Sequence, residues 1–180
     1  MSILKVSRLG NPVLRRQSDE VSRETLAGPV IQTLIDNMIV TMVEYHGVGL
    51  AAPQVHEGLR VFVAAISSDA DDPLPPESEP MVFVNPIITP VGPDIVEEWE
   101  GCLSIPDLRG RVPRAREVKV SGWDRSGGRL DVHTQGFPAR VIQHETDHLD
   151  GILFFDRMKS LDTLSYLDEY ARYWSKDRDQ

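Results

Sequence analysis

The segment Gln143-His144-Glu145-Thr146-Asp147-His148 places two imidazoles four residues apart, with a carboxylate next to the first. On an α-helix, residues four apart lie on one face with their Cβ atoms roughly 6 Å apart, which suits two ligands of one metal ion. Glu145 stands one position round the helix, so its carboxylate can reach a water on that metal without being a ligand. Apolar residues flank the segment: Val141, Ile142, Leu149, Ile152, Leu153 and Phe154. We therefore predict a buried helix that carries two metal ligands, rather than a polar surface helix.

Length and charge limit the remaining possibilities. The 180 residues are enough for a core of their own, so we expect a single domain over residues 1–180. The net charge of -9 argues against nucleic acid as the main ligand, because such sites need a basic surface. No apolar run approaches the roughly 20 residues of a membrane helix, and the N-terminus lacks the apolar stretch of a signal peptide. A single cysteine, Cys102, excludes an internal disulfide, and we expect a cytoplasmic protein.

Apolar spacing predicts a helix near each end of the chain. From Pro29 to about residue 45 the apolar residues recur at helical spacing, and Gly47 follows as a stop. Residues 161–176 have the same spacing, with one stripe formed by Leu164, Leu167, Tyr170 and Trp174. Pro138 is expected to precede the metal-binding helix, which ends near Asp150-Gly151.

Between these helices the pattern changes to that of strands. Strands are predicted over 59–66 and 81–89, and a strand followed by a loop over 95–104. The alternating residues of 117–120 and 130–134 predict an antiparallel hairpin. The acidic, proline-rich segment 67–80 is expected to be a solvated loop. Strands and helices do not alternate as they do in parallel α/β folds. The strands cluster before and around one buried helix, so the predicted class is α+β.

The segment Gly47-Val48-Gly49-Leu50-Ala51-Ala52-Pro53-Gln54 indicates backbone packed closely against another part of the molecule. A phosphate-binding loop is disfavoured because the third glycine and the Gly-Lys-Ser/Thr ending are missing. A tight structural turn and a substrate-facing strand both remain open. Gln54 is the residue of this segment whose amide could orient a carbonyl group.

A catalytic metal normally has a third protein ligand in addition to two histidines. If the motif is extended as in the three-histidine endopeptidases, Gly151 fits but the last position is Phe154, which argues against that class. Cys102 is the alternative, because Gly101 permits close backbone approach and a thiol beside a cation is deprotonated. The other histidines are expected to have polar surface roles: His46, His56 and His133.

Three segments of the chain together resemble the signature motifs of peptide deformylase: 47–54, Glu100-Gly101-Cys102-Leu103-Ser104 and 143–148. The similarity extends through Ile3-Leu4, Ile105-Pro106 and Leu149-Asp150-Gly151, so it covers almost the whole chain. The resemblance implies a metal-dependent hydrolase that removes the N-formyl group from the formyl-methionine of nascent polypeptides and releases formate. It also implies an α+β fold in which antiparallel sheets surround the helix with the two histidines.

The resemblance further implies roles for individual residues. One divalent metal, ferrous iron in most members and also zinc, nickel or cobalt, would be bound by Cys102, His144 and His148. Hydroxide formed on that metal would attack the formyl carbonyl, with Glu145 as the general base. The amide of Gln54 and the backbone N–H of Leu103 would stabilise the oxygen that gains charge.

The peptide substrate would bind as an added strand, by the same resemblance. Its main chain would pair with Val48, Gly49 and Gly101. The methionine side chain would enter an apolar pocket beside the helix, near Glu100, Phe137, Arg140 and Val141. Transient contact with the ribosome and a monomeric state are also expected.

Several residues depart from the commonest bacterial pattern. Trp99, Arg109-Gly110 and Phe137-Pro138-Ala139-Arg140 are similar to the organelle-type branch of the family. Arg140 stands one turn before His144, where many members have an apolar residue, and we hypothesise that it narrows or charges the mouth of the pocket. Residues 157–180 are near neutral, so a basic tail that binds ribosomal RNA is not expected.

Two rival hypotheses remain. An endopeptidase would share the helix but use another third ligand, so Cys102→Ala would leave metal binding intact. A non-catalytic protein could hold a structural metal and bind formylated peptides without turnover. A closed structural site needs four protein ligands, whereas the sequence offers three convincing ones.

Overall fold

The computed structural model describes residues 1–66 and 80–175 of the chain. Within them, eight strands form two sheets that pack with four α-helices, which confirms the predicted α+β class. The elements in chain order are α1 Arg23–Ala27, α2 Pro29–Glu44, β1 Gly49–Ala51, β2 Val61–Ala64, β3 Met81–Pro90, β4 Ile95–Cys102, β5 Ile105–Ala115, β6 Glu117–Trp123, β7 Arg129–Gln135, α3 Gly136–Leu149, β8 Ser165–Tyr166 and α4 Leu167–Tyr173.

The strands are arranged in two antiparallel sheets. The larger has the order β1-β2-β3-β6-β7, and the smaller has the order β4-β5-β8. The predicted hairpin is confirmed as β6–β7, with register from Glu117↔Gln135 to Trp123↔Arg129. Strands β1 and β4 each lie at an edge of their sheet. Strand β1 packs against α3, the helix predicted to bind the metal, and β4 reaches α3 through the side chains of Glu100 and Cys102.

Strand β2 explains why α3 is held in the middle of the molecule. Its four residues are buried, and neighbouring side chains of a strand point to opposite faces. Val61 and Val63 pack with α2 and its buried residues, whereas Phe62 and Ala64 pack with α3. The ring of Phe62 also stacks on Phe83 with 4.5 Å between centroids. The sheet is thus apolar on both faces, and α3 covers one of them.

The predicted N-terminal helix is confirmed, but two other helix boundaries were wrong. Helix α3 begins at Gly136, so Pro138 lies in its first turn, where the missing N–H of proline is tolerated. The C-terminal helix begins only at Leu167, because Ser165 and Tyr166 pair with β5 as strand β8. The predicted residue range 161–176 is therefore too long at its N-terminal end, and residue 176 lies outside the described part of the chain.

Strand β5 was not predicted. It contains Pro106 and Pro113, which normally disfavour a strand. In the structure β5 pairs with β4 along most of its length, while β8 reaches only Leu108 and Arg109. Both prolines therefore lie outside the short stretch that is paired on both sides. Helix α1 was also missed, because its five residues are too few for a periodic pattern.

The tail helix packs on the small sheet away from the metal-binding helix. The Trp99 ring lies 4.8 Å from Tyr170 and 5.5 Å from Trp174, centroid to centroid. Since Trp99 and Glu100 are neighbours on β4, their side chains point to opposite faces of the sheet. No helix among the described residues has the length and apolar character needed to cross a bilayer. The predicted loop 67–80 falls almost entirely outside the described residues, and the single-domain assignment stays a prediction.

Candidate metal centre

The structure brings together the three side chains that the sequence suggested as metal ligands. Cys102 ends strand β4, and His144 and His148 lie one turn apart on α3. Their candidate ligand atoms all lie within 4.8 Å of one another. The Sγ atom of Cys102 is 3.2 Å from Nε2 of His148, and the two imidazole rings meet edge to face. One small region therefore holds a thiol and two imidazoles.

The chemistry of these donors fits a divalent transition metal. A thiolate with two imidazoles is a mixed soft and borderline set, and three protein ligands leave coordination positions for water or substrate. Two buried polar atoms beside the cluster have no hydrogen-bond partner among the described residues: Oε2 of Glu145 and Nδ1 of His148. Unpaired buried polar atoms are unusual in folded proteins, and they are frequent at functional sites. The Cys102, His144 and His148 group could thus hold one metal ion.

The end of β4 places Cys102 directly before the turn into β5. The register changes between Gly101↔Arg109 and Cys102↔Ile105, so one step along β4 corresponds to four residues of β5, and the irregularity lies in β5. Cys102 is therefore the last paired residue of β4, and Leu103 and Ser104 form the turn. The backbone carbonyl of Ser104 accepts a hydrogen bond from the N–H of Leu9 at 2.9 Å, which ties this turn to the segment that precedes α1.

The remaining histidines are placed as expected. His46, His56 and His133 are exposed, and His133 pairs with Glu117 on the β6–β7 hairpin. Phe154, which occupies the third-histidine position of the endopeptidase pattern, is buried with Leu14 and Val112 in an apolar cluster.

Glu145 lies on α3 beside the two histidines and packs against strand β1. A Cβ atom added to Gly49 would lie 2.3 Å from Oε1 of Glu145, so the glycine makes room for the carboxylate. Burial raises the pKa of Glu145 to about 7; the neighbouring His144 lowers it, and the charge of Glu100 raises it further. A carboxylate with a pKa near neutrality can both accept and donate a proton at physiological pH.

The amide of Gln54 is held in one orientation. Its Oε1 accepts a hydrogen bond from the backbone N–H of Ala51 at 2.8 Å. Because an N–H can only donate, the amide oxygen must face Ala51 and the amide nitrogen must face the cluster. That nitrogen, Nε2, lies 3.5 Å from Sγ of Cys102 and 3.3 Å from Oγ of Ser104. Leu103, between Cys102 and Ser104, is half-buried against Gly47.

Glu100 supports His144 from the side opposite to the cluster. Its Oε2 accepts a hydrogen bond from Nδ1 of His144 at 2.9 Å, which leaves Nε2 of that ring for a metal. Burial alone would raise the pKa of Glu100, but hydrogen bonds from His144 and Arg114 outweigh this and hold the pKa well below its ordinary value. Glu100 was expected to line the substrate pocket, and the structure places its carboxylate in a buried ionic network.

Sequence reasoning missed the rest of that network. Arg114 donates two hydrogen bonds to Glu100 and a third to Asp147 on α3. Arg157 also donates to Asp147. A hint was present, because Asp147 falls on a helix predicted to be buried, and a buried carboxylate needs a cationic partner. The partners of Asp147 are Arg114 on β5 and Arg157 after α3. No local sequence pattern indicates that these arginines lie next to Asp147 in the fold.

The predicted substrate-binding residues are distributed around the cluster. Gly49 lies on edge strand β1, and Gly101 is exposed at the end of edge strand β4. The carbonyl of Val48 accepts a hydrogen bond from the N–H of Ala65 at 2.9 Å, so the sheet already uses it. Phe137 is 39% exposed at the start of α3, and Val141 is buried in the core between α3 and the large sheet.

Arg140 does not project a free charge. Its side chain is 6% exposed, and its guanidinium donates to Glu100 and to two backbone carbonyls. A surface cavity of about 310 Å³ lies beside it, lined also by Val96, Glu98, Ala115, Arg116 and Gly136. Its proposed role at the mouth of a methionine pocket stays a prediction.

Comparison with known proteins gives a consistent result. The family model described as polypeptide deformylase matches residues 3–164. Peptide deformylase 2 of Nostoc sp. is 42% identical over 176 residues, which are 97% of this chain and 97% of that protein. The peptide deformylase of Salinibacter ruber is 43% identical over 164 residues, covering 88% of this chain and 82% of that protein.

Solved structures agree with the sequence comparison. The class I type b peptide deformylase from Acinetobacter baumannii, crystallised with Met-Ala-Ser bound, has a TM-score of 0.79 and 42% identity, covering 88% of this chain and 100% of that chain. The peptide deformylase from Thermotoga maritima has a TM-score of 0.78 and 34% identity, covering 89% and 100%. The similarity of some segments to the organelle-type branch stays a prediction. By sequence, by fold and by the cluster of Cys102, His144 and His148, this chain belongs to the peptide deformylase family.

Proposed function

We propose that this chain hydrolyses the N-formyl group of formyl-methionyl peptides and releases formate, which is the activity known of its family. The observation that carries the proposal is the convergence of the thiol and two imidazoles with the buried carboxylate of Glu145. A structural metal site would not require that carboxylate. The relative from Acinetobacter baumannii has been solved with Met-Ala-Ser bound, which supports a peptide with an N-terminal methionine as the product.

We propose that Cys102, His144 and His148 hold one divalent ion, with ferrous iron as the native metal and zinc, nickel or cobalt able to replace it. When bound, such an ion would polarise a carbonyl oxygen and lower the pKa of a coordinated water toward neutrality. The protein would contribute the ligand geometry, and Glu100 would keep His144 in the tautomer that exposes Nε2. The fit rests on the donor set and on its geometry, since the three candidate ligand atoms all lie within 4.8 Å of one another.

Glu145 would serve as the general base. It would accept a proton from the attacking water and pass it to the nitrogen of the leaving amine. The N-formyl peptide and water thereby become formate and a peptide with a free N-terminus. Its burial beside the cluster supports this role, because Oε2 has no hydrogen-bond partner among the described residues and is available to the attacking water. Without a metal, burial raises the pKa of Glu145 to about 7. A bound dication would lower this pKa, and the carboxylate would then start the reaction ionised.

Gln54 and Leu103 would stabilise the formyl oxygen as it gains negative charge. The amide nitrogen of Gln54 already faces the cluster, because Ala51 holds the amide oxygen on the other side. A donor that is oriented before the reaction needs little reorganisation as charge develops. The backbone N–H of Leu103, next to Cys102 in the chain, is the second proposed donor.

The peptide would lie between the two edge strands. In antiparallel pairs, residues that bond to the partner strand alternate with residues whose backbone groups point away from it. Val48 accepts a hydrogen bond from Ala65 of β2, so the backbone groups of Gly49 and Ala51, one and three residues further on, point away from β2. In agreement with this, the N–H of Ala51 donates to the side chain of Gln54 and not to β2. We therefore propose Gly49, together with Gly101 on β4, for main-chain pairing with the substrate.

The methionine side chain would enter an apolar site near Phe137 and Val141. Activity in the cytoplasm, a monomeric state and transient contact with the ribosome complete the proposed role. These three features remain predictions from the sequence.

The proposal is tested by measuring formate release from formyl-Met-Ala-Ser by protein purified without oxygen and loaded with ferrous iron. Glu145→Gln is measured alongside, and Glu57→Gln serves as a control because Glu57 is an exposed glutamate. We expect turnover by the parent and the control, and loss by Glu145→Gln with its metal retained.

Other outcomes would point to the rival hypotheses. Tight binding of the formyl peptide by a folded, iron-loaded parent without formate release would identify a binding protein. Cleavage of internal peptide bonds, with metal retained in Cys102→Ala, would identify an endopeptidase. Either result would overturn the proposed deformylase activity.

A further inference from the structure

Arg140 connects helix α3 to two neighbouring strands of the small sheet, one of which carries Cys102 and Glu100. Its Nη1 donates to Oε1 of Glu100 and to the carbonyl of Val112, each at 2.7 Å. Its Nη2 donates to the carbonyl of Val96 at 2.7 Å. Val96 lies on β4 and Val112 on β5. One buried guanidinium therefore joins α3 to the backbones of two neighbouring strands.

The bonds of Arg140 complete the environment of Glu100. Oε1 of that carboxylate accepts from Nε of Arg114 at 2.9 Å and from Arg140, while Oε2 accepts from Nη2 of Arg114 at 3.0 Å and from Nδ1 of His144 at 2.9 Å. A carboxylate offers about four acceptor positions, so all of them are used. Rotation of Glu100 would break at least one charge-assisted bond, and the carboxylate is therefore held in a single orientation.

We propose that Arg140 is a positioning residue for metal binding, acting on His144 through Glu100. Arg140 fixes Glu100, and Glu100 fixes the orientation and tautomer of the His144 ring. Partners of this kind hold a ligand ring ready for the metal, and their removal typically weakens metal binding or activity about 10- to 100-fold. The inference rests on the proposed ligand set, and it replaces the idea that Arg140 acts on the substrate directly.

Arg157 provides a matched control. It is also an arginine of the ionic network, but it donates to Asp147 and not to Glu100. Its side chain is 46% exposed, and its loss removes donors from Asp147 but leaves all four donors of Glu100 in place. A general effect of removing a positive charge near the site would appear in both variants, whereas an effect through Glu100 would appear only at Arg140.

The test compares Arg140→Met, Arg140→Lys and Arg157→Met with the parent. Three quantities are measured: the rate at which a chelator removes the metal, the visible absorption spectrum of the cobalt-loaded site, and kcat and KM for formyl-Met-Ala-Ser. For Arg140→Met we expect metal release about tenfold faster or more, an altered cobalt spectrum, and a fall in kcat of about 10- to 100-fold with KM little changed. Arg140→Lys should recover part of each effect, and Arg157→Met should resemble the parent.

Two results would overturn the proposal. A rise in KM with unchanged metal release and cobalt spectrum would show that Arg140 contacts the substrate. Parent-like values for all three quantities would show that Arg140 has no positioning role. If Arg140→Met does not fold, Arg140→Gln is measured in its place, and parent-like metal release and kcat in Arg140→Gln would refute the inference. Metal release does not depend on turnover, so the inference can fail or succeed independently of the deformylase activity.

Discussion

The contact between Gly49 and Glu145 gives the most direct test of how the site is built. Gly49→Ala adds one methyl group to edge strand β1. The new Cβ would lie 2.3 Å from Oε1, 2.7 Å from Cδ and 2.8 Å from Cγ of Glu145. Ordinary van der Waals contacts are 3.4–4 Å, so the carboxylate must move by about 1 Å or the strand must shift.

Two effects follow from this displacement. Insertion of one carbon into a packed region should lower the free energy of unfolding by about 1–3 kcal/mol. A misplacement of about 1 Å of a reacting group should lower kcat about 100-fold. The three atoms nearest to the new Cβ all belong to Glu145, which is not a proposed metal ligand, so we expect the metal content of Gly49→Ala to remain that of the parent.

The assay separates these effects by a double-mutant cycle. Free energies of unfolding are measured by urea titration of the metal-free parent, Gly49→Ala, Glu145→Ala and the double variant. Removal of the Glu145 side chain removes the collision, so the cost of Gly49→Ala should fall by about 1–2 kcal/mol in the Glu145→Ala background. Gly58→Ala is the control, because a Cβ there would meet no atom within 4 Å among the described residues. An equal cost of Gly49→Ala in both backgrounds, or an unchanged kcat, would refute the reasoning.

Three further predictions concern the third ligand, the buried ionic network and the contact between Asn85 and Val21. Cys102→Ala should lower bound metal from about one ion per chain to near zero, as measured by elemental analysis, and full retention would contradict the assigned ligand set. Glu100 has a folded pKa below its ordinary value of 4.5, so the stability it contributes is complete above about pH 4.5 and is lost as the pH falls below it. The metal-free parent should therefore lose more free energy of unfolding than Glu100→Gln between about pH 5 and pH 3, and parallel curves would contradict this. Asn85 binds both backbone groups of Val21 at 2.9 and 2.8 Å and has a φ of +50°, so Asn85→Ala should destabilise the protein by about 1–3 kcal/mol in urea titrations. A change below about 0.5 kcal/mol would show that the contact between Asn85 and Val21 contributes little to stability.

Much of the site could be predicted because its parts follow local rules. The spacing of His144 and His148 places both rings on one helical face whatever surrounds the helix. The strands of the β6–β7 hairpin and helix α2 were likewise indicated by regular alternation or periodicity over neighbouring residues. Cys102 was found by its motif, and the distance of 3.2 Å to Nε2 of His148 agrees with that interpretation.

The remainder depends on contacts between residues far apart in the chain. Strand β5 was missed because its prolines oppose the local pattern, and pairing with β4 outweighs that preference. The interpretation of Arg140 changed for the same reason, since a buried guanidinium is defined by its acceptors and these lie on β4 and β5. By itself, the sequence determined the helix, the candidate ligand types and the family resemblance, because each is encoded in short-range spacing. Only the tertiary structure decided that four donors hold Glu100 and that Gly49 makes room for Glu145, because strand register and helix packing bring those atoms together.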